Sequence, residues 1–239
     1  MRTAERTATM ATIILDICTK NPCYKAGKSI KPKGLMLHSV GCNQPSAAVF
    51  VKQWDQSNPP TTVCPHAVID ANSGEVHQTL PWTHRAWHGG GTSNNTHIGV
   101  EMCEPACIKY SGKGATFTCS DLNAARKAAT TTYKAAVELF AELCEEYDLD
   151  PLTAIVSHSE GNRLGIASAH ADPEHLWNGL GLGYTMDGFR AAVKKAMQKA
   201  DNNAVTVVVG TKIAKTAAEL STAKNQLKAM GYTVTTAEI

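Results

Sequence analysis

Residues 34–39 read Gly-Leu-Met-Leu-His-Ser, a short apolar run that ends in a histidine and a serine. A run of this length, rich in large apolar residues, predicts a buried strand. A similar stretch, Ala-Ile-Val-Ser at 154–157, leads directly into His158. Side chains at strand ends can converge on a pocket at the edge of a sheet. We therefore expect His38 and His158 to face a common pocket.

Other segments continue this pattern of short strands, which are joined by turns and by helical stretches. Strands are predicted at 11–17, 63–70, 75–80 and 98–103, and helices at 46–56, 121–147 and 186–200. Asn72-Ser73-Gly74 is predicted to join two of the strands as a hairpin, and Ser120 to cap the longest helix. Residues 105–118 are predicted to be irregular, and residues 161–183 to form a long loop interrupted by glycines.

The composition is that of a folded protein with one main domain. Of the 239 residues, 43% are apolar and 18% charged, so a core can form and wholesale disorder is excluded. A net charge of +2 excludes a nucleic-acid binder that relies on bulk basicity. No apolar run approaches the ~18 residues of a membrane helix, so we expect no membrane insertion. The N-terminus does not resemble a secretory signal, so we expect synthesis in the cytoplasm without a signal peptide, starting at Met1 or Met10.

Eight cysteines are scattered along the chain without any Cys-x-x-Cys pair, which argues against a structural zinc of the four-cysteine type. Without a signal peptide, most of them are expected to be buried reduced thiols. Disulfides are the alternative, with Cys18–Cys23 and Cys103–Cys107 as the local candidates.

Histidines and a carboxylate at these strand ends suggest a metal site. His170-Ala171-Asp172-Pro173 lies in the glycine-rich loop that follows His158. Together with His38, this loop offers two imidazoles and one carboxylate, the ligands of a catalytic zinc site whose fourth position takes water. Zinc lowers the pKa of such a water to about 7. The alternative for each histidine is a hydrogen-bonded structural role.

Five sequence pieces, in a fixed order, resemble a known family. They are Leu37-His38-Ser39, Ala86-Trp87-His88-Gly89-Gly90, Asn95 with Ile98-Gly99-Val100-Glu101, Val156-Ser157-His158 and Asp172-Pro173. On these pieces the chain resembles the zinc-dependent N-acetylmuramoyl-L-alanine amidases of the type-2 amidase family. That family also includes peptidoglycan-recognition proteins and many phage endolysins. The resemblance covers about residues 30–195 and implies an α/β fold with a central mixed β-sheet flanked by helices.

The resemblance also assigns roles to individual residues. It maps the family's ligands for one Zn²⁺ per chain onto His38, His158 and Asp172. It implies that Glu101 is the general base and then the general acid, with Glu104 as the second choice. Many members carry a lysine two residues before the third ligand, where this chain has His170. An imidazole there can likewise stabilise an oxyanion.

Substrate contacts are expected from the loop around the second matching piece. Trp87 is predicted to stack on a sugar face and His88 to line the substrate groove. Phage members of the family can have a catalytic tyrosine before a strand histidine, but here Pro65 precedes His66, so His66 is expected to be structural. For four further residues of this kind, a plain loop role is as open as a role toward substrate: Trp82, His84, His97 and His175.

The resemblance implies a peptidoglycan hydrolase that uses zinc-activated water to cut the amide bond between N-acetylmuramic acid and L-alanine of the stem peptide. A phage or prophage endolysin of a Gram-positive host, released by a holin, is the favoured setting. The alternatives are a non-catalytic peptidoglycan-binding protein of the same fold, a cytoplasmic amidase that recycles muropeptides, and a zinc peptidase that cuts within the stem peptide.

This interpretation divides the chain into three parts. Residues 1–29 hold an N-terminal segment with the first strand, residues 30–200 the zinc amidase catalytic domain, and residues 201–239 a small C-terminal module. The module has a strand–helix–strand pattern that cannot bury a sheet by itself. We expect it to bind the cell wall, to pair between two chains as a homodimer, or to dock as a tail.

Overall fold

A mixed sheet forms the centre of the protein in the computed structural model, which describes residues 11–112 and 115–202, the last four of them as backbone only. Its strands are β1 Ile13–Leu15, β2 Gly34–Ser39, β3 Ala67–Ile69, β4 Val76–Gln78, β5 His97–Met102 and β8 Ile155–Ser157; a separate hairpin holds β6 Ile108–Tyr110 and β7 Phe117–Cys119. The strand order in the sheet is β1-β4-β3-β5-β2-β8. Only the predicted hairpin of β3 and β4 is antiparallel within this sheet. The predicted mixed α/β sheet is confirmed.

Helices flank this sheet. They are α1 Pro22–Ala26, α2 Ala47–Trp54, α3 Leu122–Glu146, α4 Pro151–Ala154, α5 His158–Arg163, α6 Glu174–Gly179 and α7 Met186–Asn202, with a short 3-10 turn at Thr92–Asn95. The three predicted helices correspond to α2, α3 and α7. Within the described residues, no helix is both long and apolar enough to cross a membrane.

Three local predictions were wrong. Residues 105–118 are not irregular throughout, because Ile108 packs with Ala125 and Ala129 of α3 and this contact supports the β6–β7 hairpin. The region 161–183 is not one loop, since it contains α6. The cap of α3 is Asp121, whose side chain accepts a hydrogen bond from the Ala124 amide at 2.9 Å. The hydroxyl and the amide of Ser120 both donate to the Cys107 carbonyl instead.

One face of β2 and β5 packs in the apolar core, and the other face carries polar side chains. Leu35, Leu37 and Val100 pack with Phe140 of α3 in the largest apolar cluster. Side chains alternate between the faces of a strand, so His38 and its register partner on β5, Glu101, face the other side together. The parallel pairing of two apolar strands therefore brings an imidazole and a carboxylate side by side.

Residue 70 ties a turn of the sheet to the start of α2. Buried Asp70 accepts hydrogen bonds from the backbone amides of Ala47, Asn72 and Ser73 at 2.9, 2.8 and 3.2 Å. Ser46, at the cap position of α2, makes no capping hydrogen bond with its side chain. Asp70 thus satisfies an orphan amide of the helix that the local cap residue leaves open.

We expect Asp70→Ala to lower the free energy of unfolding by about 1–3 kcal/mol at pH 7, because three backbone amides lose their acceptor and the bond from Ala47 is buried. Burial raises the pKa of Asp70, but the backbone donors outweigh burial and hold the pKa below its usual value. The stabilisation is therefore present at neutral pH and is lost as pH falls below the unfolded-state pKa of about 3.9 and through the folded-state value. Urea unfolding of both proteins from pH 7 to pH 3 measures it, with Asp55→Ala, which loses only exposed hydrogen bonds to Lys20, as the control. Equal stability at pH 7 would contradict the assignment.

All eight cysteines are free thiols, but only half of them, Cys18, Cys64, Cys103 and Cys144, are buried, whereas burial was predicted for most. The neighbouring thiols are also not the predicted local pairs: Cys23 contacts Cys64, and Cys107 contacts Cys119 across the β6–β7 hairpin.

The described residues up to Met197 belong to one compact unit. Helix α7 continues to Asn202, past the predicted end of the helix. The rest of the predicted C-terminal module and both proposed start sites lie outside the described residues.

Candidate metal centre

Three side chains from distant parts of the sequence meet at one end of the sheet. His38 lies near the end of β2, His158 begins α5 directly after β8, and Asp172 precedes α6. One ligand atom from each lies within 4.8 Å of the others, and all three residues are buried. The Nδ1 atoms of the two histidines are 3.0 Å apart. Asp172 places Oδ2 3.3 Å from the Nδ1 of His38 and Oδ1 3.5 Å from that of His158.

The position of His158 is fixed by the junction between β8 and α5. Ser157 caps α5 by accepting a hydrogen bond from the Glu160 amide, and the Glu160 carboxylate accepts one from the Ser157 amide in return. Arg190 of α7 holds that carboxylate through two hydrogen bonds of 2.8 and 3.0 Å and also donates to the Ile155 carbonyl. A capping box of this kind fixes the direction in which a helix starts, and here the first residue of the helix is the ligand.

A chain of hydrogen bonds selects the tautomer of His38. Its Nε2 lies 2.9 Å from the Nδ1 of His88, whose Nε2 lies 3.2 Å from the His97 carbonyl oxygen. Because a carbonyl only accepts, His88 carries its proton on Nε2 and its Nδ1 accepts the proton of His38 Nε2. The lone pair of His38 on Nδ1 then faces His158 and Asp172, as metal ligation requires.

His158 is oriented in the same sense by Ser168. The Nε2 of His158 lies 3.2 Å from the Ser168 hydroxyl, which is also 3.2 Å from the Gly89 carbonyl oxygen. The hydroxyl donates to that carbonyl and accepts from His158 Nε2, which leaves Nδ1 of His158 for a ligand role. The loop after His88 therefore supports the second histidine, while His88 supports the first.

The charge states of His38 and Asp172 fit a divalent cation. Burial lowers the pKa of His38 despite the neighbouring carboxylate of Asp172, so its imidazole is neutral at pH 7. Burial alone would raise the pKa of Asp172, but its contacts with the imidazoles of His158 and His38 hold the pKa well below the usual range. A neutral imidazole and an ionised carboxylate are the forms that bind metal. Two nitrogens and one oxygen are a common catalytic zinc ligand set.

Glu101 lies beside the three ligands and is not one of them. It is buried, and its Oε2 has no hydrogen-bond partner among the described residues. Burial, followed by the charges of Asp172 and Glu104, raises its pKa well above the ordinary value. A cation held by His38, His158 and Asp172 would favour the ionised form. An unpaired carboxylate oxygen next to such a site suits a general base.

Glu104, the second choice for the base, is placed differently. Strand β5 ends at Met102, and Glu104 is fully buried behind the ligands. Its oxygens accept hydrogen bonds from Ser39, Gly41 and Tyr110. Burial raises its pKa to about 7 against the opposing effect of these donors. With both oxygens occupied, Glu104 is not available to attacking water.

His170 and Trp87 are on the surface. The ring of His170 lies 4.3 Å from that of His158, centroid to centroid, and its Nδ1 is 3.1 Å from the Ser168 hydroxyl. It therefore borders the ligands from the solvent side, as a residue that contacts substrate would.

Trp87 is 41% exposed beneath the guanidinium of Arg85 and lines a cleft of about 340 Å³ against α1. The roles of His170 and Trp87 toward substrate stay predictions.

His88 requires a correction. It was predicted to line the substrate groove, but it is buried and both of its ring nitrogens are occupied within the protein. Its function is to support His38. The one signal in the sequence is Gly99 on β5: a Cβ there would overlap the His88 ring, and a glycine inside a strand often marks such a close approach. His66, expected to be structural, is buried and hydrogen-bonded to the backbone at Gly99 and His84.

Comparisons with known proteins agree with this geometry. A family model described as N-acetylmuramoyl-L-alanine amidase matches residues 28–175. The N-acetylmuramoyl-L-alanine amidase XlyA of Bacillus subtilis (strain 168) is 30% identical over 105 residues, which are 41% of this chain and 33% of that protein. The matched region thus spans only about a third of that relative's length.

Solved structures show the same fold. The catalytic domain of XlyA superposes with a TM-score of 0.52 at 25% identity, covering 77% of this chain and 99% of that one. The Staphylococcus aureus hydrolase AmiA gives a TM-score of 0.60 at 15% identity, covering 81% and 87%. The family model spans more than half of the chain and includes all three ligand positions. The chain therefore belongs to the N-acetylmuramoyl-L-alanine amidase family of type 2.

Proposed function

We propose that this chain hydrolyses the amide bond between the lactyl group of N-acetylmuramic acid and L-alanine of the stem peptide in peptidoglycan, using one Zn²⁺ held by His38, His158 and Asp172. The observation that carries the proposal is the meeting of these three ligand atoms within 4.8 Å, with the free carboxylate oxygen of Glu101 beside them. The amidase name of the relative XlyA supports the choice of bond.

When bound, Zn²⁺ supplies a Lewis acid that polarises the substrate carbonyl and lowers the pKa of water. Glu101 takes a proton from the attacking water and delivers it to the leaving nitrogen. A carbon–oxygen bond forms and the carbon–nitrogen bond breaks, so the products are a lactyl carboxylate and the free amine of L-alanine. His170, on the solvent side of His158, donates to the oxygen on which negative charge develops.

The setting we propose is a phage or prophage endolysin, made in the cytoplasm without a signal peptide and admitted to the wall by a holin. Trp87, with its exposed indole, is the proposed contact for a sugar face. Residues 201–239 are proposed to bind the wall or to pair two chains. The motif resemblance supports the first two of these assignments, and the strand–helix–strand pattern of the sequence supports the third.

The deciding experiment combines metal analysis with product analysis. We expect one zinc per purified chain, and loss of turbidity of isolated cell walls that a chelator stops and added Zn²⁺ restores. Mass spectrometry should then find new N-terminal L-alanine and free lactyl carboxylates. Wall binding without lysis would indicate a recognition protein. A different new amino terminus would indicate a peptidase, and activity on free muropeptides alone would indicate a recycling enzyme.

A further inference from the structure

A second buried carboxylate lies behind the ligand cluster, and the mechanism proposed above does not use it. Glu104 is fully buried. Its Oε1 accepts from the Ser39 hydroxyl at 2.7 Å and the Gly41 amide at 3.1 Å, and its Oε2 accepts from the Tyr110 hydroxyl at 2.6 Å. Burying a carboxylate is costly unless such donors compensate for the lost water. Its contacts indicate what it does there.

One side of Glu104 holds the turn that follows His38. Ser39 gives its hydroxyl to Glu104, while its backbone amide donates to Oδ2 of Asp172 at 3.4 Å. Gly41, two residues further on, adopts a left-handed φ of 65° and directs its own amide at the same carboxylate. Glu104 therefore fixes the segment that joins one ligand to another.

The other side of Glu104 reaches the segment that carries Asp172. The Tyr110 hydroxyl has one proton, which it donates to the Glu104 carboxylate, and it lies 2.7 Å from Nε2 of His175. The hydroxyl oxygen therefore accepts from that nitrogen. His175 lies in α6, three residues after Asp172, and its amide donates to the Ala171 carbonyl. Tyr110 comes from the β6–β7 hairpin, so this hairpin is connected to the ligand loop.

We infer that Glu104, Tyr110 and His175 form a positioning network, here called the Glu104 network, which sets Asp172 against His38 before metal binds. None of the three is among the ligands, so they are positioning residues. A ligand set that is already in place binds metal more tightly than one that must be ordered by the metal. Residues that hold metal ligands typically contribute about 10–100-fold to metal affinity. The catalytic consequence rests on the proposed function, but the effect on affinity does not.

The test is the Zn²⁺ affinity of Tyr110→Phe, measured by competition with a chromogenic chelator on the metal-free full-length chain. This change removes one hydroxyl and keeps the ring that packs against Phe117 and His175. Tyr184→Phe is the matched control, because the Tyr184 hydroxyl makes one hydrogen bond, of 3.1 Å, to Thr130 away from the ligands. We expect a dissociation constant about tenfold higher for Tyr110→Phe and an unchanged one for Tyr184→Phe.

A spectroscopic measurement separates positioning from general loss of structure. The visible absorption of the Co²⁺-substituted chain reports ligand geometry and should shift in Tyr110→Phe but not in Tyr184→Phe. Glu104→Gln, which retains shape but replaces one of the two acceptor oxygens by an amide donor, should lower zinc affinity further. Thermal unfolding of each metal-free variant shows whether it is folded. A folded Tyr110→Phe chain with wild-type affinity and spectrum would overturn the inference, as would equal losses in both tyrosine variants.

The outcomes for the two proposals differ. If the wild-type chain binds zinc but does not cut walls, the proposed function fails, while the affinity difference between the tyrosine variants still supports the Glu104 network. If walls are cut and Tyr110→Phe binds zinc as tightly as the wild type, the function stands and the network inference fails.

Discussion

We expect His158→Ala to lose zinc binding and wall lysis together. The substitution removes one of the three ligand atoms that meet within 4.8 Å. The two remaining ligands, His38 and Asp172, cannot by themselves complete the three-ligand set of a catalytic zinc site. Lysis should fall to the rate of a buffer control, and metal analysis should find much less than one zinc per chain.

The matched control is His77→Ala. His77 lies on β4, which two strands, β3 and β5, separate from the β2 strand of His38, and it pairs with Asp16 at 2.7 Å. Both variants lose an imidazole from the sheet region, but only one loses a ligand. Full zinc occupancy and wild-type lysis in His158→Ala would exclude the proposed centre. Loss of zinc and of lysis in His77→Ala would show that removing either imidazole disrupts the sheet. Circular dichroism of the two variants would detect such a loss of structure.

Glu101→Gln is the second large effect that we expect, with the opposite result for the metal. Glutamine has the shape of glutamate but cannot take a proton from water at neutral pH. Because positioned acid–base groups contribute about 10²–10⁴-fold to rate, wall lysis should fall by a factor in that range. Zinc occupancy should stay at one per chain, since Glu101 is not among the three ligands.

The comparison of the two variants is more informative than either alone. His158→Ala removes metal and rate together, whereas Glu101→Gln separates them. Glu75→Gln, on the hairpin turn beside Ser73, is the control for the change of charge. Lysis by Glu101→Gln at the wild-type rate would show that another group accepts the proton. Loss of zinc would show that Glu101 is part of the ligand shell.

The parts of the fold that sequence predicts well are those with a strong local signal. Strand β2 agrees at both ends with the predicted 34–39, because all six of its residues are buried and four of them are apolar side chains or glycine. Helix α6 was missed because its six residues follow a glycine- and histidine-rich stretch. It is held by tertiary contacts, in which Leu176 and Trp177 enter the core.

In the site, too, the residues with a strong local signal in the sequence were predicted well. His38, His158 and Asp172 were identified from strand ends and motifs, and the structure brings them together. The placement of His88 and Glu104 depended on information that the sequence does not hold locally. The carboxylate of Glu104 is taken up by hydrogen bonds within the protein because β5 ends two residues before it. His88 contacts His38, 50 positions earlier in the sequence, only because Gly99 has no side chain where the His88 ring lies.

The bond between Arg190 and Glu160 has a practical consequence for protein engineering. Because Arg190 secures the capping box that aims His158, α7 belongs to the catalytic unit even though it contributes no ligand. Phe189 and Val193 of the same helix are fully buried. A shortened chain, or a chimaera with a wall-targeting module, should therefore be cut after this helix. A junction placed before it would disturb the metal centre without altering any residue that touches it.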